Sequence, residues 1–265
     1  MREIVFVGLG LNDEKGISLR GLEEIKNAEN IFIELYTNFM PNFSLKNLEF
    51  ISGKQPYILS RRELEEEEGK IILDATERGR TVFLVPGDPL IATTHISLRL
   101  EAKKRKIKTR IIHGTSVISA IIGQTGLHNY KFGKTVTIPL PGNFSETPYK
   151  VIIQNKKSGL HTLCLLDINA KTQQFLSINE ALRTLLDIEQ KRKQQATTLD
   201  TFAIGVARIG SSSQFLKADN IVNLLKIDFG GPPQSLIFPG DLHFMETEAL
   251  IAFAQAPRKI KEHKQ

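Results

Sequence analysis

Carboxylates, glycines and prolines gather in this chain where apolar runs stop. "LVPGDPLIATTH", Leu84 to His95, is the sharpest case: an apolar run over Thr81–Val85 ends in Pro86-Gly87-Asp88-Pro89. Two prolines in four residues fix the backbone, and glycine opens conformations closed to other residues. Asp88 sets a carboxylate in that rigid turn. Similar junctions occur at "VGLGL", "HGTS", "LLDI", "VARIG" and "PPQS". In open α/β sheets, ligands bind beyond the carboxyl ends of the strands. Glycine at such an end lets backbone N–H and C=O groups approach a ligand closely. Six junctions of this kind point to a ligand cleft between domains.

Other chemistries find little support. Gly8-Leu9-Gly10 opens like a dinucleotide fingerprint, which needs a third glycine at position 13 and a helix there. Position 13 is Asp13, and helical patterning starts only near Ser18. No GxxxxGK[ST] phosphate loop and no G-x-S-x-G elbow is present. The six histidines are scattered, without the spacing of a helical zinc site, so no metal is expected. Cys164, the single cysteine, lies in apolar "HTLCLLDI" and reads as a buried strand residue. Tyr36, His95, His128 and Asp167 are polar residues near motif ends. A structural role is expected for each, and no catalytic residue is assigned.

The elements that must position these junctions alternate. Strand patterns fall at Glu3–Val7, Ile31–Leu35, Pro56–Leu59, Thr81–Val85 and Thr109–Ile112, with helical patterns at Ser18–Glu29, Arg61–Arg78 and Ala92–Arg105. Ser18 suits an N-cap, with Gly21, Leu22, Ile25 and Ala28 along one face. This alternation predicts a largely parallel sheet. The second half has strands in "TVTIPL", "LHTLCLLDI", "TFAIGVARI" and "SLIFPG". Its helices are expected over Pro148–Lys157, Asn179–Arg192, Asp219–Leu225 and Phe244–Ala254. Between the halves, His113–Lys134 carries one helix and a long loop expected to close a cleft. We therefore expect an N-terminal α/β domain over 1–112, a C-terminal α/β domain over 113–255 and a frayed basic tail over 256–265.

Hydrophobic residues make up 41% of the 265 and charged residues 24%, as in soluble globular proteins. No apolar run is long enough to cross a bilayer, and a strand pattern begins almost at once, which predicts a cytoplasmic protein. The net charge is +6, concentrated in "KKRKIKTR", Lys103–Arg110. That run reads as a solvated helix end rather than a nucleic-acid site. The acidic run from Glu63 suits the start of a helix.

"FVGLGL", "PGDPLIATTH", "HGTSVISA", "TGLHNYKFGK", "GLHTLCLLDI", "VARIGS" and "FGGPPQSLIFPGDLHFMETEAL" together resemble the diphthine synthases of the tetrapyrrole-methylase superfamily. The matching motifs run from Phe6 to about Leu250. The resemblance implies two α/β domains of the tetrapyrrole-methylase type with the methyl-donor cleft between them. It implies S-adenosylmethionine as donor, a homodimer, and translation elongation factor 2 as protein substrate. The group methylated would be the amino nitrogen of a 3-amino-3-carboxypropyl-histidine, repeatedly, in diphthamide biosynthesis. The family's donor contacts fall here on Leu11, Asp88, Ile91, Ser116, Val117, Leu166, Ile209 and Gln234. Relatives usually have alanine where Ile209 stands and histidine where Gln234 stands. The rival readings are a tetrapyrrole or RNA methyltransferase of the same superfamily, and a non-catalytic nucleic-acid-binding module. The latter lacks the aromatic interleaving of a single-strand platform.

Overall fold

The structure is a computed structural model that describes residues 2–169 and 172–262. It divides into two compact units, Met1–Val117 and Ile118–Gln265; the sequence had suggested a division at His113.

In the first unit, β1 (Glu3–Gly8), β2 (Asn30–Glu34), β3 (Tyr57–Leu59), β4 (Thr81–Val85) and β5 (Lys108–Ile112) form a sheet in the order β3-β2-β4-β1-β5. Every pairing is parallel. Helices α1 (Leu19–Lys26), α2 (Leu45–Ser52), α3 (Lys70–Thr76) and α4 (Ile96–Lys104) cover it. Alternation along β1 divides its side chains between two cores. Ile4 and Phe6 pack with Ile72 and Leu73 of α3 and Leu98 and Ala102 of α4. Val5 and Val7 pack with Ile25 of α1 and Leu48 of α2. Burial on both faces explains why the inner strands β1, β2 and β4 read as near-continuous apolar runs, whereas the edge strands β3 and β5 are partly exposed.

The second unit opens with α5 (Val117–Thr125), whose first residue still belongs to the first unit. It continues with β6 (Val136–Ile138), α6 (Thr147–Lys157), β7 (Thr162–Leu166), the small hairpin β8 (Ile168–Asn169) and β9 (Gln174–Phe175), then α7 (Ile178–Arg192). The remaining elements are β10 (Phe202–Ala207), β11 (Phe215–Asn220), α8 (Ile221–Leu224), β12 (Gln234–Phe238) and α9 (Phe244–Phe253). The sheet order is β11-β10-β12-β7-β6, antiparallel except for β6 with β7. Helix α7 has a full capping box between Ser177 and Glu180 and buries Ile178, Leu182, Leu185 and Ile188. Cys164 is fully buried in this core, and burial pushes its thiol upward, as an inert strand residue requires.

Several expectations need correcting. The pattern over Arg61–Arg78 is not one helix: a wide turn over Arg62–Glu66 stops, Glu68 and Gly69 take φ of 53° and 64°, and α3 starts afresh. Glutamates at 65 to 68 repel one another in a continuous helix. Helix α4 begins at Ile96 rather than Ala92, because Ala92 is left-handed at φ 58° and Thr93 Oγ1 bonds Pro89 O. Helix α2 lies where no helix is expected, although Ser44 caps it and Gly53 ends it. Strand β11 is likewise unexpected; it claims Asp219 and Asn220, which shortens the helix expected there to α8. The tail is not frayed through Glu262. Ala256 and Ile260 are buried, and Ala256 N–H bonds Leu250 O. His263 to Gln265 lie outside the described residues.

Candidate active site

The first sheet has a topological switch point. Strands β1 and β4 are neighbours, yet α1 leaves β1 toward one face and α4 leaves β4 toward the other. A crevice forms where such paths diverge, beyond the carboxyl ends of the two strands. Those ends are Gly8-Leu9-Gly10-Leu11 and Pro86-Gly87-Asp88. They are tied together: Gly10 N–H donates to Gly87 O at 3.2 Å and Gly87 N–H to Gly10 O at 2.7 Å. The segment after β5 joins them. A Cβ on Gly8 would lie 2.4 Å from Gly114 N and 2.5 Å from Gly87 O, so three backbones meet in contact that only glycine permits.

Asp88 is 3% exposed. Its Oδ1 accepts from Leu90 N–H at 3.1 Å, and its Oδ2 lies 2.7 Å from Nδ1 of the exposed His113. A carboxylate offers about four acceptor sites, so capacity remains for a ligand's donors. Leu11 and Ser116 are buried, Val117 is half-buried and Ile91 is exposed. All five belong to loops beyond the carboxyl edge of this sheet, or to the helix start that follows one.

In the second sheet, β7 and β10 both run antiparallel to β12. The carboxyl ends of β7 and β10 and the start of β12 therefore share one edge. Leu166, Ile209 and Gln234 sit there, the first two 8% and 5% exposed. Gln234 is engaged internally: its Oε1 accepts from Ile178 N–H at 2.8 Å and its Nε2 donates to Gly230 O at 2.6 Å. The acceptor role satisfies one of the orphan amides at the start of α7.

The other polar candidates hold structure. Asp167 accepts from Leu140 N–H and Ile168 N–H. His128 N–H donates to Glu246, a fully buried carboxylate that also binds Lys131 Nζ, His161 Nε2 and His243 N–H. Burial opposes its ionisation, but these donors hold it down at about 2. His95 is 2% exposed; its Nδ1 faces Pro89 O at 3.1 Å, so that nitrogen carries the proton, and burial pushes the imidazole down to about 4. Its Nε2 is 3.8 Å from the buried Glu34, whose carboxyl burial raises. The Tyr36 hydroxyl is buried nearby, and burial with the Glu34 charge pushes it upward.

The basic run is largely occupied within the protein. Lys104 pairs with Glu101 at 2.9 Å, Arg105 with Asp74 at 2.9 Å, and Arg110 with Glu3 and Glu24 at 3.0 and 2.8 Å. Among the described residues, no helix is long and apolar enough to cross a membrane.

Residues 3–214 match the family model of the Tetrapyrrole (Corrin/Porphyrin) Methylases. The chain is 43% identical over 249 residues to the diphthine synthase of Methanocella arvoryzae, covering 93% of this chain and 96% of that one. The chain belongs to the diphthine synthase family. The relative from Methanococcus aeolicus is 45% identical over 249 residues, again covering 93% and 96%. A crystal structure of diphthine synthase superposes with a TM-score of 0.88 at 39% identity, covering 98% of this chain and 99% of that one. The protein is accordingly a methyltransferase of the diphthamide pathway with the tetrapyrrole-methylase fold. The sequence marks the candidate residues at strand ends but not their supports: His113 against Asp88, Gly114 against Gly8, and Arg208 beside Ile209. Each lay inside a motif already noted, but pairing across 25 residues, as for Asp88 and His113, leaves no local signal.

Proposed function

We propose that this diphthine synthase family member uses S-adenosylmethionine to methylate, repeatedly, the amino nitrogen of a 3-amino-3-carboxypropyl-histidine on translation elongation factor 2. The reading includes a homodimer working in the cytoplasm. The observation that carries it is the segregation of all eight carried-over positions. Leu11, Asp88, Ile91, Ser116 and Val117 lie beyond the carboxyl edge of the first sheet, and Leu166, Ile209 and Gln234 occupy one edge of the second.

The residues suit such a donor. Asp88 retains acceptor capacity for hydroxyls or an ammonium. The bare glycine backbones at 8, 87 and 114 admit close approach, and Leu11, Leu166 and Ile209 offer apolar surface. Gln234 contributes through its backbone, because its side chain is engaged elsewhere. When bound, the donor supplies a methyl group already activated on a sulfonium. The chain's own task is orientation: holding the donor in a dry site and admitting a neutral amine in line with it. No base is assigned, since His95 and Asp167 are both committed to structure.

The test is incubation with labelled donor and elongation factor 2 bearing the unmethylated intermediate, followed by mass spectrometry. Stepwise mass gains at the modified histidine are expected. An intermediate left unmodified by folded, donor-binding protein would overturn the substrate assignment.

A further inference from the structure

Arg208 follows the last residue of β10 and takes φ of +50°, an uncommon conformation for a residue with a side chain. Its N–H donates to Pro233 O at 2.8 Å. Its guanidinium reaches in two directions. Nη1 donates to Phe229 O at 2.6 Å and to Gly231 O at 2.7 Å. Nε donates to Ser213 O at 3.1 Å and to Ser213 Oγ at 3.2 Å. The group lies directly against Gly230: a Cβ there would come within 2.9 Å of Nη1, and the φ of +71° also demands glycine.

Gln234 completes the arrangement by holding the carbonyl of Gly230, so three successive carbonyls, at 229, 230 and 231, each have a side-chain donor. Phe229 is buried in the core, but Gly230 and Gly231 have no side chains with which to order the turn that follows. Here Arg208 and Gln234 supply that order, and Arg208 also pins the loop after β10 through Ser213. Both segments flank proposed donor contacts, Ile209 in one and Gln234 in the other. The turn also walls a pocket of 370 Å³ whose lining includes Ser177, Asn179, Phe229 and Gly230.

We propose that Arg208 is a positioning residue for methyl-donor binding: its guanidinium locks the 228–234 turn and the 209–214 loop into one rigid edge. The inference rests on the methyl-donor reading above. Arg208 acts through the backbone it holds and does not touch the donor. Only a planar fork can serve Phe229, Gly231 and Ser213 together; a lysine ammonium is a single point on a flexible stem.

The experiment compares the parent with Arg208→Lys, Arg208→Met and Gly230→Ala, the last displacing the guanidinium while leaving it present. Three readouts are needed: thermal melting, calorimetric affinity for S-adenosylhomocysteine, and amide hydrogen exchange over 229–231 in ligand-free protein. Loosening of such a support is expected to weaken binding by about tenfold or more. Exchange over 229–231 should accelerate in all three variants, and donor KM should rise more than kcat falls. Arg208→Lys should recover only part of the loss. Parent-like affinity in a folded Arg208→Met, or a lower melting temperature with exchange unchanged at 229–231, would overturn the inference. Absence of binding by the parent would instead overturn the donor reading beneath it.

Discussion

Asp88 is buried but not saturated, and that combination separates two roles. As a turn former it needs only Leu90 N–H; as a ligand group it needs its charge and its second oxygen. Asp88→Asn preserves shape and removes the charge. We expect a folded variant whose affinity for the donor falls by about tenfold, the loss of one charge-assisted hydrogen bond. Calorimetry decides, and unchanged affinity would leave Asp88 only the turn. Gln234 points the other way. Gln234→Ala deletes two internal hydrogen bonds of about 0.5–1.5 kcal/mol each, so stability in urea should fall by about 1–3 kcal/mol. A variant as stable as the parent would contradict the bonds to Ile178 and Gly230. The glutamine's chemistry was legible in the sequence, but its partners were not: one lies 56 residues away, at the start of a helix.

At the scale of elements, the carboxyl ends of β2 and β4 carry the buried Glu34, and His95 packed beneath Pro89. His95 has its pKa depressed from 6.5 to about 4 by burial. The unfolded chain therefore binds its proton more tightly than the folded one. Stability is full above about pH 6.5 and declines as pH falls toward 4, by at most about 3 kcal/mol at 1.36 kcal/mol per unit. His95→Gln should flatten the melting temperature over that window relative to the parent; parallel curves would show that His95 titrates normally. Strands with both faces buried were legible from composition alone, because continuous apolar runs admit few alternatives. Helix ends were less so. Ala92 and Glu68 take left-handed conformations that no propensity favours, and β11 mixes Lys217 and Asp219 into a strand held by its neighbour β10. Tertiary pairing overrode the local pattern at β11, whereas the breaks at Ala92 and Glu68 are local turns.

For the whole molecule, the proposed homodimer predicts a light-scattering mass near twice the 29.7 kDa of one chain; a monomer at micromolar concentration would contradict it. Parallel topology in the first unit followed from the alternation of patterns. The mixed order of the second sheet did not, because nothing local dictates that β12 should lie between β10 and β7. We propose above that strand-end residues of each unit contribute to methyl-donor binding, and hydrogen exchange with and without S-adenosylhomocysteine tests that proposal. Added protection is expected in two groups of amides: Gly87 to Asp88 with Ser116 to Val117 in the first unit, and Leu166 to Asp167 with Ile209 to Gly210 in the second. Tight binding that left either group unprotected would contradict it.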